Sequence, residues 1–231
     1  MAQKINPISL RLGLTQVWDS TLQNYGKLYS NYSVILHDQL QIHQLLTQLF
    51  KLNKLILGMR QFNHSENTTK IIIFYSDLTH YPNLDKSVSA ELLKLVSKWF
   101  SNKTLIRFYS KPKWFSTANL IFNYAWFLSK QSLSLNRIFW NLYRSLKMQL
   151  NSKKILHSTY GPIIGELQGF RICLSGRFDN SRNQMAKTVK YKAGSLPSMN
   201  LQSYVEFTNS EIHTKLGTCG VQLWLFYKIN Y

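Results

Sequence analysis

Lysine and arginine side chains recur at alternating positions in the last quarter of the sequence, Gly169–Tyr227. Lys190 and Lys192 share one parity of a strand pattern, and Arg171 and Arg177 continue the polar parity of another. Lys190, Lys192 and Arg171 have no matching carboxylate nearby, so we expect that this segment does not neutralise its own positive charge. Side chains of this kind donate to phosphate oxygens. The pattern therefore predicts a small sheet with one buried face and one anion-binding face.

Residue types that catalyse reactions are present, but they do not form catalytic patterns. In Gly217-Thr218-Cys219-Gly220 a cysteine lies between two glycines, as a catalytic nucleophile can, and His213 is nearby in sequence. A hairpin that leads into an apolar strand explains both glycines better. Paired acids, a phosphate loop and a dinucleotide fingerprint are missing from the sequence. The 2 cysteines and 6 histidines lack the spacing of metal ligands. We predict no enzymatic activity, no cofactor and no metal, with both thiols reduced.

The charge balance indicates a polyanionic partner. The chain has 231 residues, 28 Lys plus Arg against 10 Asp plus Glu, and a formal net charge of +18. In a compact protein without a partner, so many positive charges would repel one another. Binding to nucleic acid therefore explains the excess better than general solubility does. Aromatic residues make up 14% of the chain. Tyr191 and Trp114, both beside lysines, are the candidates for base stacking, whereas the apolar setting of the others favours a core position: Trp99, Phe100, Phe127, Phe139 and Trp224.

The sequence contains no segment that is typical of a membrane span. The longest run without charge, Trp114–Ser129, includes Asn119 and Asn123 and is shorter than the roughly 20 apolar residues a span needs. Residues 135 to 151 form the one amphipathic candidate for peripheral membrane binding. The N-terminus shows neither a signal peptide nor a transit pattern.

Hydrophobic periodicity predicts an α+β protein in two domains after a polar arm and wrapped loop, residues 1–33. Residues 34–110 alternate helix, strand, strand, helix and strand, and residues 111–231 begin with one or two helices and end in a small mixed or antiparallel sheet. The apolar run Val221–Tyr227 predicts a central strand. A loop is predicted that starts at Lys153-Lys154 and runs through Gly161, Pro162 and Gly165. The expected elements of the first domain are Val34–Lys51, Lys54–Met59, Lys70–Tyr75, Ser89–Phe100 and Thr104–Tyr109.

Two ordered blocks resemble the S-three family of small-subunit ribosomal proteins. At the N-terminus the resemblance rests on Gln3-Lys4-Ile5-Asn6-Pro7-Ile8-Ser9-Leu10-Arg11-Leu12-Gly13. Near the C-terminus it rests on Ser175-Gly176-Arg177, Tyr191-Lys192-Ala193-Gly194, Thr208–Thr214 and Gly220–Phe226. The family implies a prokaryotic-type KH domain at residues 34–110. A KH clamp needs a Gly-x-x-Gly loop, and Tyr81-Pro82-Asn83-Leu84-Asp85-Lys86 has no glycine, so we expect a degenerate KH domain.

The resemblance implies a structural rRNA-binding protein in the head of the small ribosomal subunit, near the side where messenger RNA enters. Members of the S-ten and S-fourteen families are then the expected neighbours. Arg137, Arg144 and Lys147 lie on one face of a predicted helix and would line a messenger RNA channel, although a solvated helix face accounts for them equally well. The family's paired arginines fall on Asn141 and Leu142. The expected rRNA-binding residues are Gln3, Lys4, Asn6, Arg11, Arg171, Arg177, Arg182, Lys187, Lys190, Tyr191 and Lys192.

The compartment is inferred from divergence within the family. The chain starts at the family's own first residues and is rich in Asn, Lys, Ile, Leu, Phe and Tyr, as an AT-rich organelle genome would encode. We therefore expect a mitochondrial ribosomal protein that is encoded and made in the organelle. The alternative is a free-standing organellar RNA-binding regulator or an intron-processing factor. A regulator would need its own clamp, and an endonuclease would need clustered carboxylates.

Overall fold

A computed structural model describes residues 5–22, 29–53, 55–65, 68–77, 86–98, 103–111, 113–131, 134–178 and 185–230. The chain divides into two compact units, both α+β as predicted. The N-terminal unit is Asp19–Ser116, and the C-terminal unit joins Thr117–Tyr231 to the first segment of the chain, up to Trp18. The predicted arm and loop, residues 1–33, is thus divided between the two units.

The N-terminal unit is a four-stranded sheet with helices on one face. Its elements are β1 (Ser20–Leu22), α1 (Tyr29–Leu52), β2 (Leu55–His64), β3 (Thr68–Asp77), α2 (Lys86–Ser97) and β4 (Lys103–Ser110). The strand order is β1-β2-β3-β4, with only the β2–β3 pair antiparallel. Helical spacing brings Ile42, Leu46 and Phe50 of α1 onto one stripe, which packs with Leu92 and Val96 of α2 against the sheet.

The predicted order of these elements is confirmed, and their lengths are corrected. The predicted loop of residues 14 to 33 is wrong, because Ser20–Leu22 pairs with β2 and α1 already begins at Tyr29. Strand β2 continues to His64, so the connection to β3 is shorter than predicted. The predicted inward residues Trp99 and Phe100, and the residues 81–85 where the clamp was expected, lie outside the described part of the chain. The KH assignment stays a prediction.

The C-terminal unit is an antiparallel sheet with two helices on one face. Its elements are α3 (Ala118–Lys130), α4 (Leu135–Met148), β5 (Lys153–Ser158), β6 (Gly161–Gly176), β7 (Lys187–Gly194), β8 (Tyr204–Thr214) and β9 (Gly217–Asn230). The order is β5-β6-β9-β8, and β7 also pairs with β6. The predicted central strand is confirmed, since β9 lies between β6 and β8. The loop predicted from Lys153-Lys154 through Gly165 is wrong, because β5 and β6 form a hairpin there.

Apolar residues from both helices meet alternate residues of the sheet. Phe170, Ile172 and Leu174 of β6 are fully buried, as their alternation predicted. Their register partners on β9, Leu225, Leu223 and Val221, are buried with them. The buried helix residues of this unit include Leu120, Ile121, Ile138, Phe139, Leu142 and Leu146, each at most 2% exposed. The start of α3 is fixed from both sides, because Thr117 Oγ1 accepts from Leu120 N at 3.4 Å and Glu206 Oε2 accepts from Ala118 N at 2.9 Å.

Candidate nucleic-acid interface

The face of the C-terminal sheet that the helices leave open has lysine and arginine on its strands β6 and β7. Strand register places Arg171 between Lys192 of β7 and Trp224 of β9, and it places Cys173 beside Lys190. Directly opposed residues of antiparallel strands project on the same side. Arg171, Lys190 and Lys192 therefore share one face, opposite Phe170 and Ile172. We call this surface the basic face, and it also carries Gln222, Trp224, Phe207 and Asn209.

The Arg171 side chain is held in place by neighbours that carry no negative charge. Its Nε donates to Cys173 Sγ at 3.1 Å, and its guanidinium carbon lies 4.7 Å from the centre of the Trp224 ring. The Phe207 ring supports Trp224 from the next strand, with 5.1 Å between ring centres. A guanidinium is weakly hydrated and stacks on aromatic rings without losing its charge. Arg171 is therefore positioned for an anion while remaining uncompensated.

Two of the three described carboxylates of this unit pair with other lysines. Glu206 Oε1 accepts from Lys154 Nζ at 2.5 Å, and Glu166 Oε1 lies 3.5 Å from Lys153 Nζ. By strand parity Glu206 lies on the helix side of the sheet, where it also caps α3. Arg171, Lys190 and Lys192 form no ion pair with any described carboxylate. The third described carboxylate, Glu211, is registered with Gly220 and so lies on this side of the sheet, on β8, without an ion pair to these cations. The charges of Arg171, Lys190 and Lys192 are therefore not paired within the described part of the chain.

Arg177 and Lys187 lie at one end of this strand pair. Gly176, the last residue of β6, is registered with Lys187, the first residue of β7, and Arg177 follows directly. Lys187 is exposed and Arg177 is half-buried. Lys187 has the parity of Val189 rather than that of Lys190, so it extends the cationic surface from the strand end and not from the basic face itself. The remaining predicted residue of this turn, Arg182, lies outside the described residues.

Arg11 is not available to RNA, which corrects its predicted role. Its side chain is 0% exposed. Nε donates to Ser203 O at 2.8 Å, Nη1 to Pro7 O at 2.9 Å, and Nη2 to Ser198 O at 2.9 Å and Asn200 O at 2.8 Å. Burial lowers the pKa of this guanidinium. Arg11 therefore anchors the N-terminal segment to the loop before β8.

The rest of the N-terminal segment follows Arg11 onto the same unit. Gln16 Nε2 donates to Val205 O at 2.7 Å, and Thr159 Oγ1 donates to Leu14 O at 2.7 Å. Asn6 is exposed, and its Oδ1 accepts from Ile8 N at 3.0 Å, which closes a local turn. Gln3 and Lys4 lie outside the described residues.

Tyr191 also differs from its predicted role as a candidate for base stacking. Its register partner is Ile172, so it lies on the helix side of the sheet and not with Lys190 and Lys192. Its ring centre is 5.8 Å from that of Tyr143 and 6.2 Å from that of Trp140. Burial raises the pKa of Tyr191. The ring belongs to the packing of α4 on β7.

Sequence reasoning placed Trp224 in the core, but the structure places it half-exposed on the basic face. The signal was available in the alternation, since Val221, Leu223 and Leu225 are buried and the residues between them must project to the other side.

Parity likewise separates Cys219 from His213. Cys219 is registered with Ile212 and is 1% exposed, so the adjacent His213 points to the opposite face of β8 and does not act on the thiol.

Helix α4 presents a second cationic surface. Arg137, Arg144 and Lys147 are exposed on the side opposite the buried Leu142 and Leu146. Trp140 lies among them and is 48% exposed. The structure therefore leaves these three predicted side chains free for a polyanion. None of the helices in the described ranges is long and apolar enough to cross a membrane.

A two-layer α+β unit with an uncompensated cationic sheet face defines a nucleic-acid-binding class of protein. The family model described as "Ribosomal protein S3, C-terminal domain" matches residues 142–225, which include the basic face. The chain is 45% identical to the small ribosomal subunit protein uS3m of Chondrus crispus, over 98% of this chain and 94% of that protein. It is 28% identical to uS3 of Beijerinckia indica subsp. indica, over 98% of this chain and 84% of that protein. It is 24% identical to uS3 of Treponema pallidum, over 100% of this chain and 85% of that protein. The chain belongs to the uS3 family of small ribosomal subunit proteins.

Proposed function

We propose that this protein is a structural constituent of the mitochondrial small ribosomal subunit and docks on rRNA through the basic face of its C-terminal sheet. The family membership supports the ribosomal role, and the similarity to uS3m supports the mitochondrial one. The observation that carries the RNA-binding surface is the grouping of Arg171, Lys190 and Lys192 without a described carboxylate partner. Cations on such a surface release condensed counterions when they neutralise phosphates.

The finer assignments extend this proposal. Arg177, Lys187 and Asn6 add phosphate contacts at the margins, together with Gln3, Lys4 and Arg182. The protein lies in the head of the subunit beside members of the S-ten and S-fourteen families, and it is encoded in the organelle genome. The exposed row Arg137, Arg144 and Lys147 on α4 faces messenger RNA where it enters. The N-terminal unit retains a KH-like scaffold, as its element order supports, without the glycine clamp.

The test is the double variant Lys190→Glu with Lys192→Glu, followed by sedimentation of organelle lysates through sucrose gradients at moderate salt. Both side chains are exposed, so we expect folding to be retained while co-sedimentation with small subunits falls. The slope of log affinity for purified rRNA against log salt concentration should become shallower, by the equivalent of about two phosphate contacts. The matched control is Lys98→Glu with Lys215→Glu, which changes the net charge equally at two exposed lysines outside the basic face.

Wild-type protein and the control should remain with small subunits. Normal incorporation of the basic-face variant would reject this face as the docking surface. Wild-type protein that sediments apart from subunits would instead favour a free-standing organellar RNA regulator.

A further inference from the structure

The N-terminal sheet has an open face of its own, distinct from the basic face. Both helices of this unit pack on the side of Ile71 and Ile73. The alternate residues of β3 and β4 project to the other side, where Ile72 is registered with Arg107 and Phe74 with Tyr109. Arg107 and Tyr109 are exposed, the latter by 44%, and Phe74 is half-buried.

An aromatic pair with an attached cation marks one end of this face. The rings of Phe74 and Tyr109 are stacked, with 5.6 Å between their centres and 26° between their planes. Lys111 Nζ lies 5.1 Å from the centre of the Phe74 ring. Lys111 N donates to Tyr75 O at 2.6 Å, which ties the lysine backbone to β3 just beyond the end of β4. The aromatic pair and its cation are therefore held by strands and not by a loop.

Charge identifies the occupant. Lys70 and Arg107 lie on this face and Lys111 lies at its end, while no described side chain of the face is acidic. The core of a protein–protein interface is depleted of charged residues. On this face, by contrast, cations alternate with aromatic rings. Unpaired nucleotides need this combination, because bases stack on aromatic rings and phosphates are neutralised by cations along the strands.

We infer that the open face of the N-terminal sheet binds single-stranded RNA, with a base stacked on the Phe74–Tyr109 pair and phosphates beside Arg107 and Lys70. This site is independent of the basic face in the C-terminal unit. It also needs no glycine clamp, since the contacts come from strand side chains.

The test uses the full-length protein and two labelled probes: an oligouridine of about 12 nucleotides and an RNA duplex of about the same length. Tyr109→Leu removes the exposed ring and keeps an apolar side chain. We expect it to weaken oligouridine binding about tenfold, the loss of one stacked base, and to change duplex binding less than twofold. Arg107→Gln should weaken binding about threefold and lower the salt slope by about one contact. Ultraviolet crosslinking of 5-iodouridine oligomers should label Tyr109 or Phe74.

Matched controls separate this site from other surfaces. Tyr160→Leu removes a ring that is 79% exposed in the β5–β6 turn, and Lys215→Gln removes an exposed cation; neither should change oligouridine binding. Repeating the titrations in the Lys190→Glu/Lys192→Glu background distinguishes the two proposals. Loss on Tyr109→Leu in that background supports the N-terminal site whatever becomes of the basic face.

Circular dichroism establishes that each variant is folded, and Arg107→Gln, a change at an exposed charge, keeps the test decisive if Tyr109→Leu does not fold. Oligouridine affinities within twofold of wild type for every folded variant would overturn the inference. So would crosslinks confined to the C-terminal unit. Competition by polyglutamate that is lost on Arg107→Gln, without preference for single-stranded over duplex RNA, would overturn it in favour of an acidic protein partner.

Discussion

Replacing Arg11 by methionine tests whether this arginine is part of the fold or a ligand for RNA. The change keeps a long side chain in the buried site and removes the positive charge and all donors. Four backbone carbonyls, those of Pro7, Ser198, Asn200 and Ser203, then lose a charged partner. Each such bond contributes roughly 1.5–3 kcal/mol, but the carbonyls relax together and partly regain water. We therefore expect a loss of about 3–5 kcal/mol, at the upper end of what single substitutions cost.

The assay is urea unfolding followed by circular dichroism, with a thermal scan in parallel. A loss of this size should lower the melting temperature by about 10 °C for a chain of this length. Arg11→Lys should be intermediate, since a single ammonium group does not reproduce the guanidinium fork that reaches both Pro7 O and Ser203 O. The mirror control is Lys192→Met, an exposed change that should cost less than about 0.5 kcal/mol and should lower the salt slope of rRNA binding by about one contact.

The opposite outcome would refute the structural role. A folded Arg11→Met protein that loses less than about 1 kcal/mol and shows the reduced salt slope of Lys192→Met would make Arg11 a phosphate ligand after all. Stability and RNA affinity therefore have to be measured on the same preparations.

Two further perturbations address the strand pair and the N-terminal unit. Gly194 has a φ of +75°, and a Cβ there would lie 2.0 Å from Gln168 O, so Gly194→Ala should cost at least about 2 kcal/mol in urea unfolding; the control Gly217→Ala, at φ +125° with open space around the Cβ, should cost less, and equal losses would contradict this reasoning. Burial, and secondarily Arg60, lowers the pKa of His43 to about 4 from 6.5. Between pH 6.5 and about 4, His43 is protonated in the unfolded chain but not in the folded chain. The free energy of unfolding should therefore fall as the pH drops from about 6.5 towards 4. Because the His43 side chain is largely exposed, we expect a fall of about 1 kcal/mol at most, and His43→Gln should remove it; the same pH dependence in both proteins, measured by urea unfolding at several pH values, would exclude His43 as the cause.

Alternation along single strands was enough to predict the basic face. Phe170, Ile172 and Leu174 point to the core, and Lys190 with Lys192 point away from it, because side-chain direction in a strand depends only on parity. The same rule would have placed Tyr191 and Trp224 correctly. Their aromatic character outweighed their parity in the prediction, which assigned Tyr191 to RNA and Trp224 to the core. Both errors concern residue type and not periodicity.

Long-range partners could not be predicted in this way. The polar segment around Arg11 looks the same in sequence whether the guanidinium binds phosphates or backbone carbonyls. Its acceptor Ser203 O is 192 positions away in sequence. The hairpin of β5 and β6 was hidden by glycine, which reads locally as a loop residue. Inside β6, a Cβ at Gly165 would lie 2.3 Å from Leu156 Cδ1 on the neighbouring strand, so a larger residue would have to displace that side chain. Only the paired strand reveals this contact.

The distribution of carboxylates explains why stability and RNA binding should separate in this protein. Lys153 and Lys154 are consecutive on β5, and they pair with Glu166 and Glu206. The carboxylate of Glu206 also caps α3, so these two acidic groups serve the fold. Lys190, Lys192 and Arg171 have no such partner, and like charges on one face repel one another until a polyanion neutralises them. Removing one exposed cation of the basic face should therefore weaken RNA binding while the free energy of unfolding stays unchanged or rises slightly. Removing the buried cation Arg11 should lower the free energy of unfolding and leave the salt slope of RNA binding unchanged.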